Sequence, residues 1–232
     1  MMSNTEEQEL HVAARRRVVQ VVIQYLFLGV ILFASAGSVA WSWGWVYLGA
    51  GVVILAINLI VLPREVVAER GIERDEVKPW DRRITMISII PTLAVPVVAG
   101  LDYRFGWTAE IPDAVHLIGL LLFVLGSLLF TWAMASNKFF SKSVLVQLER
   151  DHTVAESGPY RFIRHPGYSG YITFTVGTPL LLGSLWGLIP ALFSASLLVL
   201  RTRLEDETLK QELNGYRDYA LSVHYRLLPG VW

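Results

Sequence analysis

Four stretches of nearly unbroken apolar sequence, roughly residues 18–40, 43–62, 84–101 and 114–136, leave this chain few options. Crossing a bilayer takes about 20 helical residues, and no backbone N–H or C=O can stay unpaired inside it. A helix meets that demand within one segment, so the pattern predicts an all-α polytopic membrane protein. Composition agrees: 53% of the 232 residues are hydrophobic and 17% are charged, against about 25% charged in soluble domains. The third stretch is short and holds Pro91 and Pro96, so a kink is expected there.

A fifth apolar region runs from about Tyr168 to Leu200 and is broken by "GTPLLLGSLWG". It reads as two short helices in a tight hairpin. Lys and Arg collect in cytoplasmic connections, and here they alternate along the chain. Arg15, Arg16 and Arg17 precede the first stretch, and "GSVAWSWG" after it has no basic residue. Segment 63–83 carries Arg64, Arg70, Arg74, Lys78, Arg82 and Arg83, while "DYRFGWTAEIPD" has Arg104 alone. Segment 137–167 is basic again, the hairpin turn is not, and the tail from Arg201 is. The alternation predicts about six passages, the last two the hairpin, with both termini and the long connections in the cytoplasm. Trp41, Trp43, Trp45 and Trp107 fall at the opposite ends, where an aromatic belt is expected. The polar N-terminus lacks a small-residue cleavage site, so the first stretch reads as a retained span. Leu204, Leu209 and Leu213 suggest that the last span continues as a cytoplasmic C-terminal helix ending near Asn214-Gly215.

Twenty basic and twenty acidic residues cancel, so charge does not point to nucleic acid. Without cysteine there is no thiol nucleophile and no thiolate metal site. The five histidines show no ligand spacing, so no metal is expected, and no G-x-G-x-x-G, P-loop or G-x-S-x-G is present. The polar run that stands out is "GPYRFIRHPGYSGY", residues 158–171. Gly158-Pro159 marks a turn, and Pro166 suits the first turn of a helix. Free N–H groups at such a start favour an anion, and Arg161, Arg164 and His165 add positive potential. A basic juxtamembrane loop on lipid head groups accounts for the same residues. Downstream, "RTRLEDETL" places Arg201 four before Glu205 and Arg203 four before Glu207. Exposed helix salt bridges would explain both pairs, but Arg201 ends an apolar run, where a charge tends to face a cavity.

The two motifs in this order, flanking a short hairpin and preceded by "NKFFS" at 137–141, resemble the isoprenylcysteine carboxyl methyltransferase family. The likeness is strong over 137–232, close to the bacterial members, and extends to the related membrane phospholipid N-methyltransferases. It implies an integral membrane enzyme using S-adenosyl-L-methionine, with four transmembrane helices in 1–136, a catalytic region in 137–232 and an active site facing the cytoplasm, at the inner membrane in a bacterium. It further implies that Tyr160, Arg161, Arg164, His165, Pro166, Tyr168, Glu205 and Asp206 hold the cofactor, and that Arg201 and Glu205 are catalytic. The family's Phe-Gly-x-x-Tyr turn here reads "LNGY", one residue shorter, with Tyr216 and Tyr219 still alignable.

Methyl transfer from a sulfonium needs alignment and exclusion of water rather than a nucleophile or a metal, which suits this residue set. The expected acceptor is lipid-borne or a small hydrophobic molecule reaching the site from the bilayer. Carboxylate O-methylation is favoured, and amine N- and thiol S-methylation stay open. Two other readings remain: a membrane sterol-type reductase using NADPH, and a non-enzymatic lipid-binding membrane protein.

Overall fold

The computed structural model describes residues 4–71 and 77–232, and among them all regular structure is helical. Arg74, one of the basic residues counted above, lies outside the described residues. The long helices are α1 (Asn4–Ala36), α2 (Ser42–Val61), α4 (Pro79–Phe105) and α5 (Asp113–Ala135), with the short α3 (Arg64–Glu69) between α2 and α4. These four long helices are long and apolar enough to cross a membrane. Their outer faces stay apolar, as Ile60, Ile90 and Leu26 illustrate, which fits lipid contact. After them come α6 (Pro166–Leu181), α7 (Leu188–Glu212) and α8 (Tyr216–Ser222).

Helix ends follow local stop signals rather than the edges of the apolar runs. Gly37 at φ 66° donates its N–H to Phe33 O at 2.9 Å and ends α1 at Ala36, earlier than the apolar run suggests. The third span is not short. Pro79 opens α4 at its first turn and Gly106, φ 61°, closes it, giving 27 residues that run through both Pro91 and Pro96. Its charged ends are helical because Asp81 and Asp102 find partners and are buried. Of the tryptophans expected in an aromatic belt, Trp45 and Trp107 are exposed, whereas Trp41 is buried and stacks on Tyr103 at 4.7 Å.

Helices come together through small residues, as membrane helices do where backbones must touch. Against α6, α5 packs antiparallel. A Cβ on Gly126 would lie 2.5 Å from Phe174 N, and one on Gly119 would lie 2.1 Å from Leu181 N. Gly170 and Gly177 answer from α6. Each helix thus carries a glycine pair seven residues apart, two helical turns, on one face. Between α1 and α4, Gly100 plays the same part against Ser35.

The hairpin is present as α6 and α7. The 16 residues of α6 rise about 24 Å, short of a bilayer's core. Its turn is nevertheless tied to the far ends of the full-length helices. Ser184 donates to Asp102 of α4, which also accepts from the Thr108 N–H and hydroxyl at 2.6 Å each. His116 of α5 bonds Leu181 O through Nδ1 at 2.9 Å and stacks on Trp43, so it is a packing residue. Beyond Leu200, α7 continues unbroken to Glu212, and Gly215 at φ 82° turns the chain into α8.

Candidate active site

The polar motif folds as a turn, a bend and a helix start. Residues Gly158–Arg161 form a 3₁₀ turn against the end of α5; Gly158 is at φ 58°, and a Cβ there would lie 2.3 Å from Ser136 Oγ. Pro166 then opens α6. The expected free N–H groups at this helix start are mostly taken. Arg164 and His165 donate their amides to Tyr225 O and Arg226 O at 2.9 Å each. Tyr168 and Ser169 donate theirs to His165 O. The C-terminal tail therefore doubles back onto the motif, and Ser169 Oγ adds a bond to Leu227 O at 2.7 Å.

Behind the motif sits Asp206, fully buried. Arg164 grips it with Nε at 2.7 Å and Nη2 at 3.2 Å, Arg226 Nε approaches to 2.9 Å and Lys210 Nζ to 2.8 Å. The Tyr216 hydroxyl donates to it at 3.1 Å, and His165 Nε2 lies 3.5 Å away. Burial pushes this carboxyl's pKa up, but the bonds from His165, Arg164 and Lys210 outweigh burial and hold it far below the usual carboxylate range. Arg164 also donates through Nη1 to Val223 O at 2.6 Å and His224 O at 2.9 Å, at the C-terminal end of α8. One carboxylate thus joins the motif, α7, α8 and the tail.

In front of the motif lies a cavity of about 640 Å³. Tyr160, Arg164, His165, Tyr168, Arg201 and Glu205 line it. Three expected cofactor residues are placed elsewhere. The Arg161 side chain is exposed, Pro166 is buried in the first turn of α6, and Asp206 meets the cavity only through Arg164, His165 and Tyr216.

The i,i+4 pairs read from α7 do not form. Arg201 turns to Asp81 of α4, Nε to Oδ1 at 2.7 Å and Nη2 to Oδ2 at 3.2 Å, and Nη2 also reaches Lys142 O at 2.7 Å. Asp81 Oδ2 accepts the Val144 N–H at 2.9 Å as well. Nη1 of Arg201 has no hydrogen-bond partner among the described residues. Glu205 accepts from the Tyr168 hydroxyl, and the Arg201 guanidinium lies 5.5 Å from the Tyr168 ring centroid. Arg203 and Glu207 are exposed, and Glu207 faces Lys210 and Arg226 instead.

Sequence reasoning passed over several residues at the cavity wall or just behind it. Asp81, which fixes Arg201 from behind, sits in the charged run "KPWDRR", which reads as a solvated connection. Thr85, Ser88 and Thr92 place hydroxyls on the cavity side of α4 at helical spacing, a signal visible within an apolar run. His152 packs on Phe139 with ring centroids 4.2 Å apart and tilted by 32°, and burial and Arg150 push its pKa down to about 4. Among the described residues no cluster of His, Asp and Glu could hold a metal ion.

The profile of the isoprenylcysteine carboxyl methyltransferase (ICMT) family matches residues 117–211, from α5 into the C-terminal part of α7. A rice (Oryza sativa subsp. indica) protein named "Probable protein-S-isoprenylcysteine O-methyltransferase" is 30% identical over 118 residues, 47% of this chain and 59% of its own length. The "Protein-S-isoprenylcysteine O-methyltransferase" of Saccharomyces cerevisiae is 39% identical over 66 residues, 28% of each chain. The Arabidopsis thaliana "Protein-S-isoprenylcysteine O-methyltransferase B" is 32% identical over 65 residues, 28% of this chain and 33% of its own. The chain thus spans less than two thirds of the length of these relatives. The matched segment contains the motif, most of the hairpin and, on α7, both Arg201 and Glu205 of the cavity wall, so it is over this region that the chain is similar to the isoprenylcysteine carboxyl methyltransferase family.

Proposed function

We propose that this protein is an S-adenosylmethionine-dependent methyltransferase that esterifies the carboxylate of a lipid-borne or small hydrophobic acceptor, a prenylated cysteine being the class its relatives' names suggest. One observation carries the reading. Tyr160, Arg164, His165 and Tyr168 of the motif and Arg201 and Glu205 of α7 converge on a single cavity, whose other walls include Phe27 and Leu28 of α1 and Ile89 and Leu93 of α4. An aqueous cofactor and a membrane-borne acceptor could meet there.

The donor set suits the cofactor. Phe139, Tyr160, Tyr168 and Tyr216 offer faces for an adenine or a sulfonium, and Glu205 offers negative charge to the cofactor's cationic groups. When bound, S-adenosylmethionine supplies a methyl on sulfonium that a carboxylate oxygen can take in one displacement with no proton to remove. The protein's part is to hold and align. Asp81 and Lys142 O fix the Arg201 plane and leave Nη1 to orient an acceptor carboxylate. Tyr168 fixes Glu205 through its hydroxyl. Such positioning and the exclusion of water supply most of the barrier reduction in a displacement of this kind.

The hairpin turn's bond to Asp102, at the end of α4 remote from Asp81, supports a hairpin that reaches the far side, hence six passages with both termini on one side, and the Lys/Arg distribution makes that side the cytoplasm. A reporter fused after Trp232 tests this; activity only as a periplasmic or luminal fusion overturns it. For the activity, calorimetry on the purified protein should show binding of S-adenosylhomocysteine and not of NADPH, weakened in His165→Ala and Tyr168→Ala. Labelled S-adenosylmethionine with a membrane lipid extract should give a base-labile ester. A base-stable product refutes carboxyl transfer, and NADPH binding alone refutes the methyltransferase.

A further inference from the structure

Besides Arg164 and Arg201, a third arginine, Arg70, lines the cavity and has no part in the proposed transfer. Arg70 follows α3 and lies in segment 63–83, outside the stretch that matches the family. Its guanidinium carbon lies 5.4 Å from the Phe130 ring centroid and 5.3 Å from that of Phe140. Those rings meet edge to face, 5.5 Å apart at 89°, so Arg70 stands on a two-ring platform. Phe140 in turn packs on Gly167 of the motif, where a Cβ would come within 2.8 Å of its ring. The platform therefore abuts the first turn of α6.

Three other arginines at or near the cavity have a carboxylate partner. Arg201 has Asp81, Arg164 has Asp206 and Arg150 has Glu69. Arg70 lines the cavity, is partly buried and pairs with no carboxylate among the described residues. Its surroundings are cationic: burial, then Arg17 and Arg201, push its pKa down to about 10, so it remains charged at neutral pH. Removing a charge from water without a counter-ion is costly. A guanidinium set against two rings, lining a cavity and without a carboxylate partner among the described residues suits an anion, and its planar fork matches a carboxylate.

We propose that Arg70 is an anion-binding residue of this cavity and takes the carboxylate of a molecule bound there, with Phe130 and Phe140 as its wall. The assignment rests on the methyltransferase reading, under which two carboxylates can enter: that of the acceptor and that of the cofactor's amino-acid end. Phe130 lies on α5, 28 residues before the motif begins at Gly158, so the pairing is set by the fold and not by the motif itself.

The test pairs each carboxylate ligand with an uncharged counterpart on purified full-length protein in detergent. S-adenosylhomocysteine is set against 5′-methylthioadenosine, which lacks the amino-acid end, and an N-acetylated S-prenylcysteine against its carboxamide. Arg70→Met keeps the packing on the rings and removes the charge. One acid should lose about tenfold to a hundredfold in affinity, as for a charge-assisted hydrogen bond, while its counterpart binds as before. Loss confined to S-adenosylhomocysteine assigns the cofactor's carboxylate, and loss confined to the prenylcysteine acid assigns the acceptor's. Unchanged affinity for both acids overturns the proposal. Should Arg70→Met fail to fold, Arg70→Lys carries the test: it keeps the charge but loses the fork, and an undiminished acid affinity again overturns it. Wild-type protein that binds neither acid sinks the methyltransferase reading as well, whereas acids bound equally by wild type and variant sink Arg70 alone.

Discussion

Asp206→Asn separates an anchor from a ligand. The carboxylate and Arg164 are 0% and 5% exposed, with two bonds at 2.7 and 3.2 Å. Asparagine keeps the shape but removes the charge, leaving Arg164 buried with carbonyl oxygens as its remaining acceptors. Breaking one side of a buried pair costs about 3–5 kcal/mol. Arg226 and Lys210 are 22% and 27% exposed, can turn toward water, and should add only tenths of a kcal/mol each. The expected loss is therefore about 3–5 kcal/mol, read by denaturant unfolding in detergent micelles. Trp232, whose ring lies 4.9 Å from the Arg226 guanidinium, gives a local signal as the difference between the fluorescence of the protein and that of a Trp232→Phe background. Adding Arg164→Met should recover part of the loss, because the orphaned charge goes too. Acid gives an independent check. A depressed folded pKa contributes stability that is complete above the ordinary aspartate value, about 3.9, and is lost as pH falls below it toward the folded value. Wild type should therefore lose more stability below pH 4 than the variant does. A loss under about 1 kcal/mol, with S-adenosylhomocysteine binding abolished in a folded variant, would refute the anchor and make Asp206 a cofactor ligand.

Three further outcomes are expected. Gly126→Val should cost at least about 1–3 kcal/mol, since a Cβ there meets backbone atoms of α6 at 2.5 and 2.7 Å, whereas Gly49→Ala, with nothing within 4 Å, should be harmless; thermal midpoints in detergent decide. His152 has a folded pKa lowered to about 4, so its contribution is complete above about pH 6.5 and lost as pH falls through 4; His152→Gln should flatten the pH dependence of the midpoint between those values, and an unaltered slope counts against it. Arg201→Lys and Glu205→Gln should lower methyl transfer about a hundredfold, while Arg203→Lys and Glu207→Gln stay near wild type, and equal turnover in all four would remove α7 from the site.

The all-helical membrane architecture was legible because lipid leaves apolar helices few alternatives, and the hairpin because "GTPLLLGSLWG" interrupts a run otherwise long enough to read as one span. The ends of α4 were not, since Asp81, Arg82 and Arg104 look like solvated connections until Asp81 meets Arg201 and Asp102 meets Ser184. The glycine seam was written in the sequence as Gly119, Gly126, Gly170 and Gly177. The seven-residue spacing acquires meaning only when α5 and α6 are known to lie together.

Local spacing failed most plainly on α7. Arg201 with Glu205 and Arg203 with Glu207 have the same i,i+4 geometry, and neither pair forms, because partners distant in sequence bind more firmly: Asp81 lies 120 residues from Arg201. What spacing does fix is which side each residue faces. Successive helical residues are about 100° apart, so adjacent acids cannot serve one pocket equally. Glu205 turns to Tyr168 and the cavity, and Asp206 turns away into the cluster formed by Arg164, Lys210 and Arg226. Glu205 accordingly lines the cavity, whereas Asp206 meets it only through the side chains it holds. One carboxylate faces the cavity while its neighbour holds the motif, tail and helix together, and the second of these arrangements keeps Arg164 and His165 in place at the cavity wall.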